Sequence, residues 1–253
     1  IKDINLTSPH RAHVEILYDL SLPVLSQQGS LRNFSDLQTA WQKTLDVEEL
    51  NKKFYRELQY WYFWALQMVT FPDANHTGSK ESPNSSSIIR LITRLIFVWF
   101  LKEKQLIPPE LFDQQRLENI LKFEDPNDST YYKAILQNLF FATLNQEMNV
   151  SGKEPKRKFR RLNGHAGGLN GNRLITNLYR YERYFQDPEA ALRIFESIPF
   201  LNGGLFECLD HEIDVNGKPQ VVRIDGFSDE NGNVLRGPDE LFFGDERNAG
   251  LNQ

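Results

Sequence analysis

The sequence predicts a mainly α protein, an irregular helical bundle with a small C-terminal β-hairpin and loop-rich segment. Apolar residues recur at spacings of three and four in stretch after stretch between residues 10 and 200, the periodicity of helices with one buried face. An alternating pattern around a turn dipeptide occurs at 213–224, where Ile213–Val215 and Val221–Ile224 flank Asn216-Gly217. The 253 residues are 40% hydrophobic and 12% aromatic, enough for a buried core, which excludes disorder as a description of the whole chain.

The elements follow in order. Ser8-Pro9 places a capping residue before a proline suited to a first helical turn, and a short helix is expected to about Leu20. Asn33 to Lys43 reads as a second. Asp46 and Glu49 form a capping-box pattern opening the clearest helix, with Leu50, Phe54, Leu58, Trp61, Ala65 and Val69 as one buried stripe. Phe71-Pro72 ends it, and the polar stretch 73–87 is an exposed loop. Ile88 to Lys104, apolar nearly all round, is the expected centre of the core. Its run of about fourteen apolar residues is short of the roughly twenty that span a bilayer. Arg90 and Arg94 within it are expected to leave the core at its edge or to pair with a carboxylate there.

After Pro108-Pro109, helices are predicted over Leu111–Leu121 and Tyr131–Leu144, the second burying Tyr132, Ile135, Leu136, Leu139 and Phe140. Residues 150–173 lack apolar periodicity and read as a long loop, a length usually functional or disordered. Helical spacing returns in Leu174, Leu178, Tyr181 and Phe185, and Asp187-Pro188 starts a helix ending near Pro199. Residues 1–208 are thus expected to form a helical domain carrying the basic loop 150–173, and residues 209–253 a small β- and loop-rich tail.

One cysteine, Cys208, excludes an internal disulfide framework and fits a reducing cytoplasm. Asn-x-Ser/Thr triplets at Asn5, Asn33, Asn75, Asn84, Asn127 and Asn149 are read as chance in an Asn- and Ser-rich chain. The chain opens on Ile1 with no leader and reads as a piece of something longer.

Charge is the sharpest functional signal. Residues 153–173 hold Lys153, Lys156, Arg157, Lys158, Arg160, Arg161 and Arg173 against Glu154, a local +6 in a chain whose total is -5. A segregated cation cluster on an acidic chain suits a polyanion such as the DNA backbone, bound with release of counterions. Asn163, Asn170, Asn172 and His165 add hydrogen-bonding groups, and nearby glycines let backbone amides approach a phosphate. The expected DNA-binding residues are Lys156, Arg157, Lys158, Arg160, Arg161, Asn170, Asn172, Arg173 and Arg180. Arg173 and Arg180, seven apart, would share one helix face with Tyr184 beside them. The alternatives are a solvated loop that binds nothing specific, and surface arginines paired with Glu182 or Asp187.

Other features favour structure over chemistry. Tyr60-Trp61-Tyr62-Phe63-Trp64 surrounds its helix with few cations near, which suits core packing or a domain interface rather than base stacking. Pro72-Asp73 and Glu154-Pro155-Lys156 match the letters of a nuclease metal motif without its strand context. Gly167-Gly168 and Asn202-Gly203-Gly204 lack the Lys-Ser/Thr of a nucleotide loop. His10 and His13 make only a weak metal pair, and no Ser or Cys stands in a nucleophile elbow. Pro199 to Glu207 reads as a structured turn. No catalytic or metal-binding residue is assigned.

Several stretches together resemble one family. They are Leu50 to Leu58, Leu91 to Leu101, Leu136 to Asn145, Tyr179-Arg180-Tyr181-Glu182, Ile198 to Glu207 and Ile224-Asp225-Gly226-Phe227-Ser228. In that order, over roughly residues 45–245, they are similar to type IIG-like restriction–modification enzymes. In these, nuclease, adenine-specific DNA methyltransferase and target-recognition parts share one polypeptide. The resemblance implies a helical region upstream of the methyltransferase domain. The family's catalytic Asn-Pro-Pro-Tyr and its methionine-cofactor loop have no counterpart in these residues. It implies that the parent enzyme, not this fragment, binds S-adenosylmethionine and methylates adenine N6 on a flipped base; whether the parent also cleaves DNA stays open. The expected partners are duplex DNA and the adjacent nuclease and methyltransferase domains, with no membrane. The competing expectation is a protein-interaction or scaffolding helical domain without nucleic-acid contact.

Overall fold

The computed structural model describes residues 11–29, 31–72, 83–125, 127–147, 157–160, 174, 176–201, 203–230 and 232–244. Among these the fold is mainly α, with a two-stranded antiparallel sheet. The chain divides into two compact units, one up to Phe63 and one from Trp64 on, with the division inside a helix. Residues 209–244 lie within the second unit.

In the first unit, α1 (Arg11–Asp19), α2 (Leu22–Gln28) and α3 (Phe34–Thr44) precede α4 (Val47–Met68). Asn33 Oδ1 accepts the Asp36 amide at 2.9 Å and caps α3, one residue inside the expected start. Trp41 Nε1 donates to the Leu20 carbonyl at 3.1 Å, and Lys53 Nζ lies 3.5 Å from Asp19 and 3.7 Å from Glu15. Below Phe63, Leu25 and Trp61 are the buried apolar residues among those described. The stripe predicted for α4 is therefore only half right. Trp61, Ala65 and Val69 are buried, whereas Leu50 and Phe54 are exposed, Phe54 by 48%.

The second unit begins where α4 ends. Asn84 Oδ1 accepts the Phe71 amide and its Nδ2 donates to the Val69 carbonyl, both at 2.9 Å, which joins the exit of α4 to α5 (Pro83–Glu103). Helix α5 starts earlier than expected. It is not the centre of the core. Ile88, Leu91, Arg94, Val98 and Leu101 face inward, while Ile89, Ile96, Phe97 and Phe100 remain exposed. Five to fifteen residues on, the predicted Leu111–Leu121 helix is broken. A 3-10 turn, Pro109–Phe112, is followed by α6 (Gln114–Leu117), because the Asp113 side chain accepts the Arg116 amide and starts a new helix.

The centre is α7 (Tyr132–Leu144), thirteen residues wound as a π-helix and buried on all sides but at Lys133. Its buried Gln137, Asn138 and Thr143 require partners, since a buried polar group without one costs about 1–3 kcal/mol. Asn138 finds two on one residue. Its Nδ2 donates to the Arg180 carbonyl at 3.0 Å, and its Oδ1 accepts the Arg180 amide at 2.9 Å. The side-chain amide thus pairs with the backbone as a strand would. This is why the described residues 176–185, predicted helical, form no α-helix. Phe159 and Tyr179 form a parallel bridge, Tyr181 has φ 65°, and only Glu182–Tyr184 makes a 3-10 turn.

Helix α8 (Pro188–Glu196) forms as expected, with Asp187 capping the Ala190 amide at 3.0 Å. The hairpin forms too, as β1 (His211–Val215) and β2 (Lys218–Val222), with Val215 opposite Lys218. Asn216 and Gly217 sit at φ 56° and 76°, the left-handed pair that a two-residue turn matching strand twist demands. Both strands lie largely exposed on either face. A strap follows, ending in α9 (Glu240–Phe243). Arg236 pairs with Thr70 through both backbone groups at 2.9 Å, and Leu241, Phe242 and Phe243 are buried.

Candidate nucleic-acid interface

The described part of the basic segment is 157–160, and it runs inward. Arg157 is buried, its Nη1 donating to Tyr179 Oη at 2.6 Å and to the Ala142 carbonyl at 3.1 Å, and its Nη2 to the Ile198 carbonyl at 3.3 Å. Thr143 Oγ1 and Tyr179 Oη are 2.6 Å apart, which links this guanidinium to α7. Burial pushes the Tyr179 hydroxyl up to about 12, so it stays a neutral donor and acceptor here. Phe159 packs on Tyr179 and Phe185, with ring centroids 5.9 and 5.3 Å away. Arg160 is buried as well. It meets Asp229 at 2.9 Å and Glu230 at 3.2 Å, and Glu230 also holds Arg223 at 2.8 Å.

Arg180 is 1% exposed, with Nη1 on the Leu178 carbonyl at 2.6 Å and its guanidinium 5.0 Å from the Phe227 ring. Desolvation lowers it to about 10, which leaves it charged at neutral pH. The expected phosphate contacts at Arg157, Arg160 and Arg180 are therefore corrected. These guanidinia are occupied by carbonyls, carboxylates and aromatic rings inside the protein, out of a duplex's reach. Arg180 does not stand on the helix expected to carry it with Arg173, since the described residues 176–180 form none. Arg180 is also not the surface arginine paired with Glu182 or Asp187 that the alternative expected. Lys158 is exposed, as a phosphate contact requires. Lys156, Arg161, Asn170, Asn172 and Arg173 lie outside the described residues, as do His10 and the other members of the loop. Sequence reading missed Arg183, which is exposed, stacks on Tyr184 at 5.0 Å, and lies beside Lys122.

Behind these residues lies a polar network inside the protein. Arg94 Nη1 meets Asp225 Oδ1 at 2.8 Å, both nearly inaccessible, while its Nε and Nη2 donate to the carbonyls of Leu205 and Glu207. The expectation that Arg94 meets a carboxylate is realised in depth rather than at an edge. Asp225 Oδ2 takes the Leu209 amide, and Gln137 Nε2 donates to the Asp225 carbonyl at 2.8 Å. Tyr181 Oη lies 2.8 Å from Gln137 Oε1 and 2.9 Å from the Ser228 carbonyl. Asp210 accepts four consecutive amides, those of Ile224, Asp225, Gly226 and Phe227, between 2.7 and 3.0 Å. Asp210 carried no sequence signal. Gln137 and Asn138 did, as amides in an otherwise apolar helix.

Among the described residues, no group of three or more His, Cys, Asp or Glu side chains is arranged to hold a metal ion. Comparison with known proteins returns no matching family model, no matching curated protein and no matching solved structure.

Proposed function

We propose that this chain is a non-catalytic helical connector, an irregular bundle from a bacterial, cytoplasmic restriction–modification enzyme that methylates adenine in DNA. The connector holds nuclease and methyltransferase modules in register and lends basic residues to the DNA track. One observation carries the reading. Polar groups from separate stretches that resemble the type IIG-like enzymes bond to one another inside the protein: Arg94 with Asp225 and the carbonyls of Leu205 and Glu207, Gln137 with Tyr181 and the Asp225 carbonyl, and Asn138 with the backbone of Arg180. Groups bonded to one another in this way fix a backbone; they do not face a substrate. S-adenosylmethionine would belong to the methyltransferase module, and no residue of this chain is assigned to it.

Under this reading the DNA contacts come from Lys156, Lys158, Arg161 and Arg173, with Asn170 and Asn172, and from Arg183 and Lys122 at the surface. The test is fluorescence anisotropy of a labelled duplex against salt. Six phosphate contacts from these cations give a slope of log K against log salt of about -5. Reversing Lys156, Lys158 and Arg161 to Glu is expected to abolish binding while leaving the circular dichroism spectrum unchanged. Absence of binding at low salt, or binding indifferent to that reversal, overturns the DNA assignment. The scaffolding reading would then stand. It is favoured by the exposed aromatics of α4, with Tyr60 67% and Phe63 51% accessible.

A further inference from the structure

The strap that closes over the start of α7 is pinned by an unusual carboxyl group. Asp239 is 4% exposed. Its Oδ1 accepts the Tyr131 amide at 2.7 Å, at the mouth of α7, and its own amide donates to the Asp128 carbonyl at 2.9 Å. Its Oδ2 is buried with no hydrogen-bond partner. Around it the strap is fastened by the Gly237 amide on Ser129 Oγ at 2.8 Å and by Phe242 and Phe243 on the Tyr131 ring, 5.3 and 4.7 Å between centroids. Gly237 passes so close to Tyr132 that a Cβ would lie 3.2 Å from its ring.

A carboxylate here would place a full negative charge on a side chain almost cut off from solvent, with no hydrogen bond to its Oδ2. A neutral acid keeps the Tyr131 bond and avoids that cost. The facing charged groups do not reverse this balance. Asp128 opposes ionisation, while Lys133 and the amides of Tyr131 and Thr130 favour it, yet burial outweighs them and raises the carboxyl to about 7. The Tyr131 hydroxyl is itself held neutral by burial. Glu240, the next strap residue, is half-buried, and Arg236 is felt at Asp125.

We infer that residues 235–244 form a proton-held strap, closed over α7 while Asp239 is a neutral acid and released when it ionises. The sign follows from linkage. The folded acid keeps its proton to higher pH than the unfolded one, so closure is strongest below the ordinary aspartate range, weakens as pH climbs to neutrality and levels off above it.

Amide hydrogen exchange of residues 240–244 and 130–133, corrected for intrinsic rates, is the test. Between pH 6 and pH 8 protection there is expected to fall by up to roughly tenfold, most of it below pH 7, because the loss runs at about tenfold per pH unit between the open-state and closed-state values and levels off above them. Amides inside α7, such as Leu139, should hold theirs. Asp239→Asn should flatten the pH dependence. A direct titration of the Asp239 carboxyl by carbon-13 NMR on the unaltered chain serves if that variant does not fold. A midpoint below pH 5, protection constant from pH 6 to 8, or an equal loss throughout the core each overturns the inference.

Discussion

Arg94 and Asp225 show what a buried ion pair asks of its surroundings. Desolvating two charges is offset only when every remaining donor and lone pair is used, and here the guanidinium has two further carbonyls and the carboxylate a backbone amide. Removing one partner strands the other. Arg94→Met is expected to lower unfolding free energy by about 3–5 kcal/mol in urea denaturation, without altering DNA affinity per folded molecule. A variant that unfolds at the midpoint of the unaltered chain would show the pair to be dispensable. The same accounting explains why the basic cluster could not be read fully from composition. Charge counts are local, but the acids that neutralise Arg160 stand about seventy positions away at Asp229 and Glu230.

Elements marked by local chemistry were legible. The caps Asn33 and Asp187 and the Asn216-Gly217 turn announce α3, α8 and the hairpin, because their function needs no knowledge of the rest of the chain. Elements decided by distant partners were not. Leu174, Leu178, Tyr181 and Phe185 have helical spacing, yet the Asn138 amide pairs with the backbone at residue 180 and keeps it out of a helix. The exposed half of α4 and the outer face of α5 were misread for a related reason, since periodicity reports apolar residues whether or not anything covers them. The hairpin offers a test at this scale. Gly217→Val forces a β-branched side chain to φ 76°, at a cost of roughly 1–2 kcal/mol. Cross-strand contacts between His211 and Val222 should vanish from nuclear Overhauser spectra, while the melting of the helices stays put.

At the scale of the whole molecule, the two units differ in how much core they own. Up to Phe63 the described buried apolar residues are Leu25 and Trp61, whereas the second unit encloses nearly all of α7. Local opening energies follow buried contacts. Amides of α3 and the first half of α4 are therefore expected to exchange orders of magnitude faster than those of α7; equal protection would contradict it. The long-range closure at Arg94 has a further consequence for biosynthesis. Asp225 lies 131 residues downstream, so at roughly 5–20 residues per second the ribosome leaves the arginine without its counterion for on the order of ten seconds. During that interval α5 carries a lone cation on its inward face, and the nascent helices cannot settle until the carboxylate emerges from the exit tunnel.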